Sequence, residues 1–310
     1  MPEGYTHVRC ARAAAKLSGV EPAHAAAFAA GANGPDALFC FEAWKSGRRR
    51  RADLPKLGAR MHEERTGAFL QSLVRRAATP LQKSYVLGFL CHYATDCTVH
   101  PYVVMITEPG QLYGKKGGHG YFEIALDSFL HAHDTGDAAV PSAHSCPHLT
   151  GAALAEVGAL LQACIAETYG IQLTREVLAD TFHHTYWLRR LFISRTGIKR
   201  ALFWLLEPLF GGRGVITGHV SPARLRGSRP KDKRKLPAGW KNPFTGEQVG
   251  EGLPALLQKA ERRSAAYMLG AEGYWQGKVT GPQLWELLGS AAYLSGLPDE
   301  QSSLGPARPL

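Results

Sequence analysis

Thr79-Pro80-Leu81-Gln82 opens, and Cys91-His92-Tyr93-Ala94-Thr95-Asp96-Cys97-Thr98-Val99-His100 closes, a segment that reads as one helix. The opening four residues carry the signals of a helix start: a capping threonine, a proline at the first helical position where its missing N–H is harmless, and a glutamine placed to close a capping box. Over residues 80–100 the periodicity then sets His92, Asp96 and His100 at i, i+4 and i+8, on successive turns of one face. Val86, Leu87, Leu90 and Tyr93 fall on the neighbouring faces. Helical bundles line internal metal sites in this way, with ligands from facing helices pointing inward.

A second segment repeats the device. His119-Gly120-Tyr121-Phe122-Glu123 is followed at the same spacing by Asp127 and His131, so two ligand-bearing faces could oppose each other. Further helices are expected over 7–30, 55–77, 119–133, 150–168, 174–194, 197–210, 253–270 and 281–295, the last with its own capping signal in Thr280 and Gln283. No alternating strand pattern stands out. The expected fold is all-α, a multi-helix bundle around an internal multinuclear metal site. Residues 1–210 form its core, 211–252 a basic Gly/Pro-rich loop, 253–295 C-terminal helices of the same domain, and 296–310 a disordered tail.

The bulk properties are those of a folded protein: 310 residues, 45% apolar and 20% charged, enough to bury a substantial core. A formal charge of +10 favours an anionic partner, whether a phosphate-bearing substrate, nucleic acid or an acidic membrane surface. Much of that excess lies in the runs Arg48–Arg51 and Arg224–Lys235, which read more readily as solvated loop. The six cysteines contain no Cys-x-x-Cys pair and are expected to be reduced thiols. No signal-peptide core and no run of about twenty apolar residues is present, so the expectation is a cytoplasmic chain that does not span a membrane.

Taken singly, the metal motifs are ordinary. Chance yields about one His-x3-acid pair in a chain of this composition, and His92 with Asp96 could be a hydrogen-bonded core pair, His119 with Glu123 a surface helix pair. Their combination with a wider series carries more: Tyr5-Thr6-His7, Gly34-Pro35-Asp36, Met61-His62-Glu63, His92 through Asp96 to His100-Pro101-Tyr102, then His119 through Glu123 to Asp127. This order and wording, over roughly residues 1–133, resembles the zinc-dependent phospholipase C family and its relatives, the S1/P1-type nucleases. Trp240-Lys241-Asn242-Pro243 is similar to a segment of intracellular members of the group.

The resemblance implies that Asp36, His62, His92 and Asp96 hold one zinc, and His100, His119 and Glu123 a second. It also implies that Asp96 bridges to a third, held by His7 and, in the family, by the N-terminal amine and carbonyl of a processed chain beginning at tryptophan. This sequence begins Met1-Pro2-Glu3-Gly4, so the third site is expected to be incomplete, differently built or absent. Histidine nitrogens with carboxylate oxygens suit zinc, and a site without thiolates and short of protein ligands leaves a position for water. The resemblance makes Asp36 the candidate for orienting or deprotonating that water. Asp127 and His131 read as partners orienting ligands through hydrogen bonds, with plain helix-surface residues as the alternative. His24, His133, His144, His148, His183, His184 and His219 read as structural or solvated.

The expected substrate is a phospholipid or soluble phosphodiester. A nuclease on the same scaffold, for which exposed Trp44 beside Arg48–Arg51 would be the hint, and a non-catalytic metal-binding protein are the alternatives. Trp187, Leu188, Leu191, Phe192, Phe203, Trp204, Leu205 and Phe210, interleaved with five basic residues, read as helices completing the core, with a peripheral contact on an anionic membrane as the alternative.

Overall fold

The computed structural model describes residues 4–299, and they are predominantly helical. In chain order the helices are α1 (Gly4–Ser18), α2 (Ala25–Gly31), α3 (Leu54–Glu63), α4 (Thr66–Arg76), α5 (Pro80–Thr107), α6 (Gly118–Thr135), α7 (Ser142–Ser145), α8 (Gly151–Tyr169), α9 (Arg175–Leu191), α10 (Ile198–Leu206), α11 (Leu253–Trp275) and α12 (Gly281–Leu288). Short 3₁₀ turns lie at Gly34–Cys40, Gly47–Arg49, Glu207–Phe210 and Thr217–His219. The strands among the described residues are a two-residue antiparallel ribbon, β1 (Trp240–Lys241) with β2 (Gln248–Val249). The expected all-α class holds.

Helix α5 is the axis. It begins with the expected capping box, Thr79 accepting from the Gln82 N–H and the Gln82 side chain returning to the cap, and it runs on through Pro101 to Thr107. It is apolar all the way round and buried along nearly its whole length, as a helix must be when others surround it. Helices α1, α2, α6, α8 and α11 pack against it. One apolar core gathers around Tyr85–Cys97 and a second, smaller one around Val99–Ile106 with Phe122, Leu126, Trp240 and Leu257. His92, Asp96 and His100 span the changeover.

Several expected helices prove to be divided. The 7–30 segment breaks between Ser18 and Ala25, where Gly19 and Pro22 interrupt the backbone. The 55–77 segment breaks at Arg65, which adopts the left-handed region at φ 53° and donates to the Thr168 carbonyl at 3.0 Å. The last expected helix stops at Leu288.

The reading of 187–210 as core is corrected. Helix α10 has no buried residue, and Trp187, Leu191, Leu202, Trp204, Leu205 and Phe210 are exposed. Within the segment expected as a loop, Trp240 is buried edge-on against Tyr102 at 5.5 Å, its indole N–H donating to Glu251. Of the expected tail, Asp299 ties back to the Thr66 N–H and the Ser290 hydroxyl. Residues 300–310 lie outside the described residues, as do Met1–Glu3.

Candidate metal centre

The site is assembled from four elements around α5. From α5 come His92, Asp96 and His100 on one stripe; from α1 comes His7; from the turn after α2 comes Asp36; from α6 come His119 and Glu123. His62, near the end of α3, faces Asp36. His7, Asp36, His92, Asp96, His100 and Glu123 are buried, His62 and His119 partly so.

Two groups form. In the first, His7, Asp36, His92 and Asp96 offer atoms all within 4.8 Å of one another. His92 Nε2 stands 3.1 Å from Asp96 Oδ2 and 3.6 Å from Asp36 Oδ2, and His7 Nε2 is 3.3 Å from Asp96 Oδ1. His62 Nε2 joins the edge of this group, 3.0 Å from Asp36 Oδ1 and 3.9 Å from Asp96 Oδ2. In the second, His100 and His119 both turn Nε2 to Glu123 Oε1, at 3.3 and 3.0 Å. His100 presents its other nitrogen, Nδ1, to Asp96 Oδ2 at 3.5 Å, so Asp96 connects the two groups. All eight residues singled out in the sequence thus converge. The grouping differs in one respect: His7 sits in the tight first set, and His62 at its margin.

The donor set fits a cation, and tautomers supply the test. His62 Nδ1 faces the Gly58 carbonyl at 2.7 Å and His92 Nδ1 faces the Ala32 carbonyl at 3.2 Å, so each ring carries its proton there. A neutral ring then turns the Nε2 lone pair toward a carboxylate oxygen, acceptor against acceptor. His92 Nε2, Asp96 Oδ2, His100 Nδ1, His7 Nδ1 and Glu123 Oε2 are buried with no hydrogen-bond partner. Buried acceptors facing one another are costly unless a proton or a metal lies between, and imidazoles oriented by a backbone carbonyl are the usual form of metal ligands.

The ionisable groups perturb one another strongly, and in opposite directions at different histidines. Burial, with His92 beside it, lowers the His7 pKa to about 4. At His100 burial acts downward, but Asp96 and Glu123 outweigh it and raise the value to about 9. Burial would raise Asp96, yet His100, His92 and His7 hold it below the usual carboxylate range; Glu123 is likewise held well below by His119 and His100 against the effect of burial.

A family model described as zinc dependent phospholipase C matches residues 6–176, just over half of the chain and the part that contains every residue of the two groups. The chain belongs to the zinc-dependent phospholipase C family. No match was found among curated proteins or among solved structures. In this phospholipase C family member the helical fold and the buried histidine–carboxylate groups that could bind metal occur together.

Asp127 and His131 are buried, which rules out the alternative that they are plain helix-surface residues. Asp127 receives the N–H groups of Tyr5 and Thr6 at 2.8 and 2.7 Å, together with the Thr6 hydroxyl. It fixes the first turn of α1, and thereby the backbone that carries His7. His131 pairs with His144, Nε2 to Nδ1 at 2.8 Å, and His148 with His183. The place of His219, read as structural or solvated, was missed: its ring lies against Gly120, and burial lowers its pKa to about 3. Nothing local marks it, since it stands a hundred residues after His119 in a segment expected as loop. Tyr293, also missed, packs its buried ring 4.9 Å from His62 and 5.8 Å from His92.

Proposed function

We propose that this protein hydrolyses a phospholipid at phosphorus, with zinc held by Asp36, His62, His92 and Asp96 in one position and by His100, His119 and Glu123 in another, His7 completing the first set. The observation that carries the reading is the facing of His92 Nε2 and Asp96 Oδ2, two buried acceptors without a hydrogen-bond partner. Zinc held there supplies Lewis acidity, making water more acidic and neutralising charge that develops on phosphoryl oxygens.

The chain's own residues do the rest. His62 and His92, each oriented by a backbone carbonyl, turn Nε2 toward Asp36 at 3.0 and 3.6 Å. Asp36 is the proposed base, taking the proton of the attacking water as its oxygen bonds to phosphorus; the bond to the leaving group breaks and the departing alkoxide takes up a proton from solvent. Half-buried His119 is the most accessible member, with a side chain 34% exposed, so the second group forms the mouth through which a phosphoryl head would enter. The family implies phospholipid, and no described helix is long and apolar enough to cross a membrane. A nuclease reading has one observation in its favour: Trp44 is exposed beside Arg48–Arg50.

The test couples metal content with turnover. Elemental analysis of protein purified without chelator should find zinc, and phospholipid should be cleaved in preference to single-stranded nucleic acid. Asp96→Asn should lose zinc and lower kcat/KM about a thousandfold or more. Retention of both zinc and turnover in that variant would sink the reading.

A further inference from the structure

We propose that α10 and the turn after it, residues 198–210, are an anchor that lays the protein on an anionic phospholipid surface. A helix kept in a folded protein normally hides an apolar stripe against the body, yet α10 buries no residue. Ile198, Leu202, Leu205 and Leu209 are 71%, 52%, 67% and 80% exposed. The spacings of four and three residues stack Ile198, Leu202 and Leu205 into one ridge along the helix, and Leu209 follows in the 3₁₀ turn. Trp204, Leu206 and Phe210 are exposed around it. The end of α9 is joined to it by Phe192 packing on Phe203 at 5.8 Å, and adds exposed Trp187 and Leu191. A contiguous apolar surface of this kind marks an interaction site.

Charge identifies the occupant. From Trp187 to Arg213 the segment holds six arginines and lysines against a single carboxylate, Glu207. Glu207 is buried, accepting from the N–H groups of Gly214, Thr217 and Ile216. The exposed ionised side chains, Arg190, Arg195, Lys199 and Arg213, are therefore all cationic. Arg195 is paired with Asp137, while Arg190 and Arg213 lie over the rings of Trp187 and Trp204 at 5.2 and 3.6 Å. Leucine and isoleucine along a ridge, tryptophans at its sides and cations beyond them are the arrangement that meets a bilayer interface: hydrocarbon below, headgroups around. A second copy of this chain fits less well, since it would bring two cationic rims together.

The anchor is tied to the mouth of the metal centre. Lys116 donates to the Gly211 carbonyl. Gly117, in the left-handed region at φ 72°, passes so close that a side chain there would meet the Gly214 oxygen at 2.0 Å. His119 stands two residues further on, at the start of α6. The choice of lipid as occupant rests on the phospholipid reading, but binding itself needs no hydrolysis.

Co-sedimentation of the full chain with vesicles of phosphatidylcholine, alone or mixed with phosphatidylglycerol, tests the proposal. The wild type should partition onto the mixed vesicles, less so as salt is raised. Leu205→Asp with Leu209→Asp should lower partitioning about tenfold or more while leaving Tm and zinc content unchanged, because neither side chain packs on the body. Wild type that sediments with neither vesicle, or a double variant that sediments like wild type, overturns the anchor. So does a salt-stable dimer in sedimentation velocity that the double variant converts to monomer without any vesicle binding; that result assigns the ridge to a second copy. Vesicle binding without any phosphodiester cleavage leaves the anchor standing and removes only the hydrolase reading.

Discussion

Gly34 stands where the chain crosses the face of His92. Its φ of 51° lies in the left-handed region, and a side chain there would come within 2.2 Å of His92 Cδ2. The ring cannot yield, being fully buried and fixed by its Nδ1–H to Ala32. Gly34→Ala therefore meets two penalties: about 1–2 kcal/mol for a left-handed L-residue, and a clash relieved only by moving Asp36 or His92. The expected outcome is zinc affinity lower by about tenfold or more, measured by titration against a competing chelator. Unchanged affinity would mean that the path of the Asn33–Pro35 backbone is not what sets Asp36 in place. Gly34 belonged to the quoted motif in the sequence, but its reason did not show there, because the ring it must clear is contributed by a helix that starts 46 residues later.

At the scale of elements, the helices that bear several candidate ligands were legible and the contacts between helices were not. The i, i+4, i+8 spacing found α5 and α6 because each holds its own candidate ligands on one face, and capping chemistry fixed the starts of α5 and α12 to the residue. Asp127 shares that spacing on α6, yet it serves α1, across 122 residues of sequence. A helix start leaves N–H groups without partners and carries partial positive charge, and a buried carboxylate answers both. Asp127→Ala would strand the Tyr5 and Thr6 N–H groups at a cost of about 1–3 kcal/mol for each group left unpaired. It should lower the Tm by several degrees in a thermal melt, and Asp127→Asn, which keeps an acceptor, should lower it less. Equal melting of Asp127→Ala and wild type would show that α1 is held by its apolar face alone. The misreading of α10 has a different cause: an apolar period of 3.6 looks the same whether it faces a core or a membrane, and only the three-dimensional neighbours separate the two.

For the molecule as a whole, acid should loosen the fold at three ion-paired carboxylates. Lys45 and Arg51 hold the Glu42 pKa at about 2, and Arg76 and Ser72 do the same for Glu167, which joins α8 to α4. At Asp134, which joins α6 to α1 through Arg9 and Tyr5, burial acts upward, but His133, Arg9 and Tyr5 outweigh it and leave a value of about 2. All three lie below their ordinary values of 4.5, 4.5 and 3.8. Because the unfolded chain binds protons more readily at these groups, their stabilisation is complete above about pH 4.5 and is lost as the pH falls toward about 2. Each pair reaches the surface and is individually weak, so the effect belongs to the set. The Tm of zinc-free protein should fall through that window. Glu167→Gln should melt slightly lower at neutral pH and fall less steeply with acid, the two curves meeting at the acid end. Parallel curves would place the acid sensitivity on other groups.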